Sequence, residues 1–150
     1  MHHRWTRRRT FVNTKKIVDV EHIGNIHFLG YVNENEKAEL YALSDVFIHP
    51  SKSEGFSISI LEALAYGLPV LITEACNFPQ VAEYHAGIVI TDKYVVIRIK
   101  DALQKLWHKK NLLKVMGKNA RKLVEEKFSI TGMAKKINDI YAKQAKIQAE

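Results

Sequence analysis

An α/β fold with a parallel sheet is predicted from three observations. Short β-rich apolar runs alternate with amphipathic stretches through residues 26–90. Gly or Pro stands at the ends of most runs. From Ile97 onward the chain reads as helix alone. Alternation of this kind belongs to sheets whose strands are joined by helical crossovers.

The elements follow in order. Residues 1–22 show no clear period, and Lys15 to Val20 suits a short helix or a short strand equally. Ile26-His27-Phe28-Leu29 reads as a buried strand ended by Gly30. Asn33 or Asn35 is placed to cap a helix carrying Ala38, Leu40, Tyr41 and Leu43. Val46-Phe47-Ile48 is a second strand, closed by Pro50. A helix is expected from about Ser57 to Tyr66, with Gly67 as its stop. Pro69 to Thr73 is a third strand, with Pro where a missing donor does least harm. Phe78 to Tyr84 makes a brief helix after Pro79, and Gly87 to Ile90 a fourth strand. Three apolar stripes then recur at spacings of three and four. The first holds Ala102, Leu103, Leu106 and Trp107. The second holds Leu112, Val115, Met116, Ala120, Leu123 and Val124. The third runs from Ile130 to Tyr141, with Ser129 as its N-cap.

At 150 residues the chain is one domain by length. It has no apolar run long enough to span a bilayer. Its N-terminus lacks the apolar centre of a signal peptide, and the single Cys76 has no internal disulfide partner. These features predict a cytoplasmic protein. Charge is unevenly spread. Residues 1–20 hold six Lys/Arg and one acid, residues 21–92 two Lys and ten acids, and residues 93–150 fifteen Lys/Arg and five acids. An acidic centre argues against a nucleic-acid binder, which carries its positive charge on the working surface. The basic C-terminal helices suit peripheral contact with anionic lipid at the inner membrane face. Lysines that merely solvate the outer faces of amphipathic helices account for the same charge.

In parallel sheets ligands bind outside the carboxyl ends of the strands. Those ends fall at Gly30-Tyr31-Val32, at His49-Pro50-Ser51 and at Thr73. Immediately after the second comes Glu54-Gly55-Phe56-Ser57-Ile58-Ser59-Ile60-Leu61-Glu62. A flexible Gly and a helix start can bring free N–H groups to a phosphate. Ser57 can add a hydroxyl donor. Two carboxylates eight positions apart can each accept hydrogen bonds from a vicinal diol. Structural readings stand beside these. Glu54 can be a solvated loop acid, and Ser59 to Glu62 fits a capping box. The seven His residues show no metal-ligand spacing with Cys76. Cys76 reads better as part of a helix-entry turn than as a reactive thiol, and Arg7-Arg8-Arg9 better as a basic tail than as a phosphate grip.

The motifs in order are Phe28-Leu29-Gly30-Tyr31-Val32, Ser44-Asp45-Val46-Phe47-Ile48-His49-Pro50-Ser51, Glu54-Gly55-Phe56, and Glu62-Ala63-Leu64-Ala65-Tyr66-Gly67-Leu68-Pro69-Val70. Phe128-Ser129 follows at the start of a last helix. Together they resemble the nucleotide-sugar-binding C-terminal domain of retaining glycosyltransferases of the GT-B fold, the family 4 or group 1 enzymes, over about residues 23–145. The resemblance implies a Rossmann-like parallel sheet with flanking helices. It implies transfer of a hexose from a nucleotide-diphosphate sugar to a glycan or lipid-linked acceptor, with retention and without a metal. It assigns Glu54 to the donor sugar as the catalytic residue and Glu62 to the ribose. It places Gly55, Phe56, Ser57, Ile58 and Ser51 around the donor, with the backbone of Tyr31 and Val32 against the base.

The resemblance also implies that part of the domain is absent. Two strand–helix units normally precede the segment matching Ile26 to Gly30, and the first carries an Arg and a Lys that grip the diphosphate. Residues 1–22 do not match it and are read as a basic segment outside the family, with residues 23–150 as a partial C-terminal domain. In the order 3-2-1-4-5-6 the strands here would be 3, 4, 5 and 6, and the first would lack its neighbours. Asn77 and Gln80 stand where the family usually has Gly and Glu. The expectation is a fragment inactive alone, whose missing N-terminal half lies elsewhere. A non-catalytic nucleotide-binding remnant and a protein-interaction module are the alternatives.

Overall fold

A computed structural model describes residues 13–91, 95–132, 134, 137, 138, 140 and 141. Two compact units divide the chain, residues 1–37 and residues 38–150.

In the first unit, residues 13–20 are helical (α1), which decides the stretch that sequence left open. Residues 26–29 correct the expectation: they form no strand. A strand exists only as a ladder with a neighbour, and no described strand pairs with this one. Ile26 and Leu29 are accordingly exposed rather than buried. Gly30 follows with φ +71°, a left-handed turn that suits glycine. Asn33 caps the next helix, α2 (Glu34–Leu43). Its Oδ1 accepts from the N–H of Asn35 and Glu36, each at 3.0 Å, and Glu36 Oε2 accepts from the Asn33 N–H at 2.8 Å. That reciprocal pair is a capping box with Asn in place of Ser or Thr.

The second unit is a three-stranded parallel sheet of order β1-β2-β3. The strands are β1 (Phe47–His49), β2 (Val70–Thr73) and β3 (Gly87–Ile90). The helices between and after them are α3 (Ile58–Ala65), α4 (Gln80–Glu83), α5 (Val95–His108) and α6 (Lys110–Lys127). Register runs Ile48 to Leu71 and Leu71 to Ile88. Sequence order equals spatial order, as the resemblance implies for the last three strands. β2 is buried on both faces, which explains why Val70-Leu71-Ile72 is continuously apolar rather than alternating. Val70 and Ile72 join Ile60, Ala63, Leu64, Phe78, Val81, Ala120 and Leu123 in the main core. Leu71 turns the other way, to Ile90 and Ala102, with Val95, Ile99 and Leu103 of α5 packed alongside.

Two glycines permit close backbone contact. A Cβ on Gly87 would collide with the Val70 carbonyl, so β2 and β3 approach there only because it is glycine. A Cβ on Gly117 would lie 2.5 Å from the Gly67 carbonyl oxygen, so α6 sits directly against the end of α3. That end is a Schellman turn. Gly67 has φ +73°, its N–H donates to Leu64 O at 2.9 Å, and the Leu68 N–H donates to Ala63 O at 3.0 Å. Ser129 caps the helical residues after it, its Oγ accepting from the Gly132 N–H at 3.0 Å. Among the described residues no helix is long and apolar enough to cross a membrane.

Candidate functional site

The carboxyl end of β1 delivers His49, and the chain then loops through Pro50 to Ser57 before α3 begins. This loop is tied to the turn after β2. The Glu54 N–H donates to Ala75 O at 3.0 Å. The Cys76 thiol donates to the carbonyl of His49 at 3.2 Å, and the Thr73 hydroxyl donates to that of Ser51. Cys76 is fully buried in a 3-10 turn over Glu74–Cys76. Its role is structural, matching the helix-entry reading.

Glu54 is half-buried, and its Oε1 lies 3.0 Å from Nε2 of His49, which donates in the tautomer protonated at that nitrogen. The His49 ring stacks on Phe47, with centroids 6.0 Å apart and planes 9° from parallel. The carboxylate is thus aimed by a ring that the strand itself holds. Sequence reasoning missed His49, because a partner five residues away is visible only once the loop reverses direction.

Glu62 sits a turn inside α3. The Tyr41 hydroxyl, from α2, lies 3.2 Å from Glu62 Oε2 and 3.4 Å from Ser59 O, and donates there. The capping-box reading of Ser59 and Glu62 fails, since both lie inside the helix, whose N-cap is Ser57. Ser57 makes no side-chain capping bond. It is only 5% exposed, and its hydroxyl is 3.0 Å from that of Ser59. Neither hydroxyl is therefore spent on the first-turn N–H groups, which in any helix lack intrahelical acceptors.

Gly55, Phe56 and Ile58 are all exposed. Phe56 stacks on Phe78 at 5.4 Å and lies 6.0 Å from Phe128. That aromatic trio binds the loop to the end of α6. Ser51 lines a groove of about 520 Å³ at the strands' carboxyl ends, with Thr73, Ala75, Ile90, Val95 and Ile99. Tyr31, 93% exposed, and Val32, half-buried, belong to the first unit and are described only within it. Among the described residues no group of three or more His, Cys, Asp or Glu side chains is placed to hold a metal ion.

The model of the family described as glycosyl transferases group 1 matches residues 12–123. The chain belongs to this family. The group 1 assignment agrees with relatives of known name. The lipopolysaccharide glucosyltransferase WaaG of Escherichia coli K12 is 33% identical over 98 residues, 65% of this chain and 26% of WaaG. A crystal structure of WaaG, a glycosyltransferase involved in lipopolysaccharide biosynthesis, superposes with TM-score 0.66 at 30% identity, covering 78% of this chain and 31% of that one. The C-terminal domain of LpcC, a group 1 protein from Francisella tularensis, superposes with TM-score 0.72 at 26% identity, covering 81% and 64%. The sheet and its helices are thus the Rossmann-like layer of GT-B glycosyltransferases. This group 1 chain spans about a quarter to a third of the length of full-length WaaG.

Proposed function

We propose that this chain supplies the donor side of a hexosyltransferase that acts with retention on a nucleotide-diphosphate sugar. Family membership supports sugar transfer, and the single observation that carries the finer reading is the pinned loop after β1. It presents a carboxylate, oriented by His49, directly ahead of a helix start whose Ser57 and Ser59 hydroxyls are engaged with each other. In this reading the amides from Gly55 to Ile58 meet the leaving diphosphate, where negative charge grows as the sugar–phosphate bond breaks. Glu54 holds a hydroxyl of the donor sugar, close to the positive charge that develops on the ring. Glu62, steadied by Tyr41, takes the ribose diol, and Ser51 borders the donor. For Tyr31 and Val32, in the first unit, contact with the base rests on the family resemblance alone. No metal is needed, because the helix start replaces it.

The acceptor, a glycan or a lipid-linked sugar, is held by polypeptide corresponding to the parts of the relatives that this chain does not match. A chimera tests the reading: residues 26–145 replace the matching segment of WaaG, and transfer is followed with labelled UDP-glucose and GDP-mannose. Transfer is expected with the donor's anomeric configuration kept in the product and with full rate in EDTA. Glu54→Gln is expected to slow turnover by about 10²- to 10³-fold, while Arg8→Ala in the native chain leaves donor binding unchanged. The 150-residue chain alone is expected to transfer nothing, since approximation and charge stabilisation are both incomplete. Turnover indifferent to Glu54→Gln would refute the site assignment, and transfer by the isolated chain would refute the expectation that it needs the polypeptide it does not match.

A further inference from the structure

We propose that the corner between α5 and α6 is a docking surface for anionic lipid headgroups, with Trp107 as its interfacial anchor. α5 turns Ala102 and Leu106 inward. Trp107 lies one position further, about 100° around the helix, and is 79% exposed. The exposed Lys100 lies on the same flank, two turns earlier. An indole so placed adds nothing to the core. It suits a boundary between water and hydrocarbon, where Trp is enriched.

The stretch that follows it carries charge of one sign. Residues 102–124 contain seven Lys/Arg and no acid. Lys105, His108, Lys109, Lys110 and Lys114 are all exposed about the corner. Solvated helices commonly offset lysine with acids at i+4. Here the acids of α6 gather at its far end, where Glu125 meets Arg121 at 3.4 Å and Glu126 meets Lys122 at 3.8 Å. Asp101 is the one acid of α5, six residues before Trp107. Among the described residues no ion pair engages Lys105, Lys109, Lys110 or Lys114, so the start of α6 presents a cationic row beside an exposed aromatic. Charge complementarity and the indole together select an anionic bilayer surface.

The test uses the 150-residue chain with Trp5→Phe, so that Trp107 alone reports emission. Vesicles of phosphatidylcholine are compared with and without about 30 mol% phosphatidylglycerol at low salt. Sedimentation with the anionic vesicles only is expected, with a blue shift of Trp107 emission and release by about 0.5 M NaCl. Lys109→Gln and Lys110→Gln should each lower the partition coefficient about fivefold. Trp107→Ala should weaken binding severalfold without changing the circular dichroism spectrum. The proposal is overturned by equal binding to neutral vesicles, by no binding to either, or by Trp107 emission that stays unshifted in bound chain. It is overturned too if binding survives the lysine changes and is lost on Arg7→Gln, Arg8→Gln and Arg9→Gln. Capture of a single-stranded oligonucleotide in place of vesicles would likewise overturn it.

Discussion

Val70–Thr73 and Ile26–Leu29 are written in nearly the same alphabet, and only one of them is a strand. β2 has a parallel neighbour on each side, Phe47–His49 and Gly87–Ile90, and helices over both faces. Its Val70, Leu71 and Ile72 are each 1% exposed. Residues 26–29 have no ladder among the described residues, and Leu29 is 57% exposed. β propensity describes a side chain's fit to a half-buried pleated surface, not a preference that acts alone. A run of Ile, Phe and Leu becomes a strand when hydrogen-bonded neighbours satisfy its backbone groups.

The sharpest way to break this contrast is in β2 itself. Ile72→Ala removes a fully buried side chain between α3 and the sheet and should cost about 2–5 kcal/mol, read from urea unfolding. A loss under about 1 kcal/mol would show that β2 is no more central than its edge neighbours.

Next comes the β2–β3 seam. Gly87→Ala places a methyl against the Val70 carbonyl and must push the two strands apart. A cost of roughly 1–3 kcal/mol is expected, with faster amide exchange at Val70 to Ile72. Unchanged exchange would mean that the strands are not in close contact at Gly87. Leu29→Ala is the counterpart outside the sheet. Its exposure predicts a change within about 0.5 kcal/mol, and a loss like that of Ile72→Ala would prove that residues 26–29 pack against a partner in solution.

The smallest effect belongs to a surface link between α4's end and α6. The Tyr84 hydroxyl donates to Glu126 at 2.7 Å, and this bond, with the carboxylate's charge, raises the Tyr84 pKa above its ordinary 10.0. The neutral phenol is the form favoured by folding. Its contribution is therefore full below pH 10 and is lost as pH rises through the folded value. Melting curves of the native chain and Tyr84→Phe should differ slightly at pH 8 and converge only as pH rises past the raised folded value, above 10. A gap that persists at high pH would show that the phenol contributes by packing rather than by its proton.

Much of the local framework around the candidate site was legible in the order of motifs. Ser57 as the start of α3, Gly67 as its stop and Ser129 as a cap were all readable, because caps and stops depend on a few consecutive residues. The place of Glu54 after a strand's carboxyl end was readable for the same reason. The partners were not. His49 against Glu54, Tyr41 against Glu62, and the Ser57–Ser59 hydroxyl pair arise from how loops turn and how Tyr41 packs on α3 within the second unit, so no spacing rule marks them.

The sequence by itself determined the helices from Glu34 onward, the alternation of strand and helix through residues 46–90 and the family, since periodicity and turn chemistry are local and survive without the rest of the molecule. Tertiary structure alone decided which β-rich run became a strand, which glycines are closed in by a neighbouring backbone, and which side chains steady the two acids. Those outcomes depend on atoms distant in the chain that meet only after folding, where a missing neighbour leaves Leu29 in water and a present one buries Leu71.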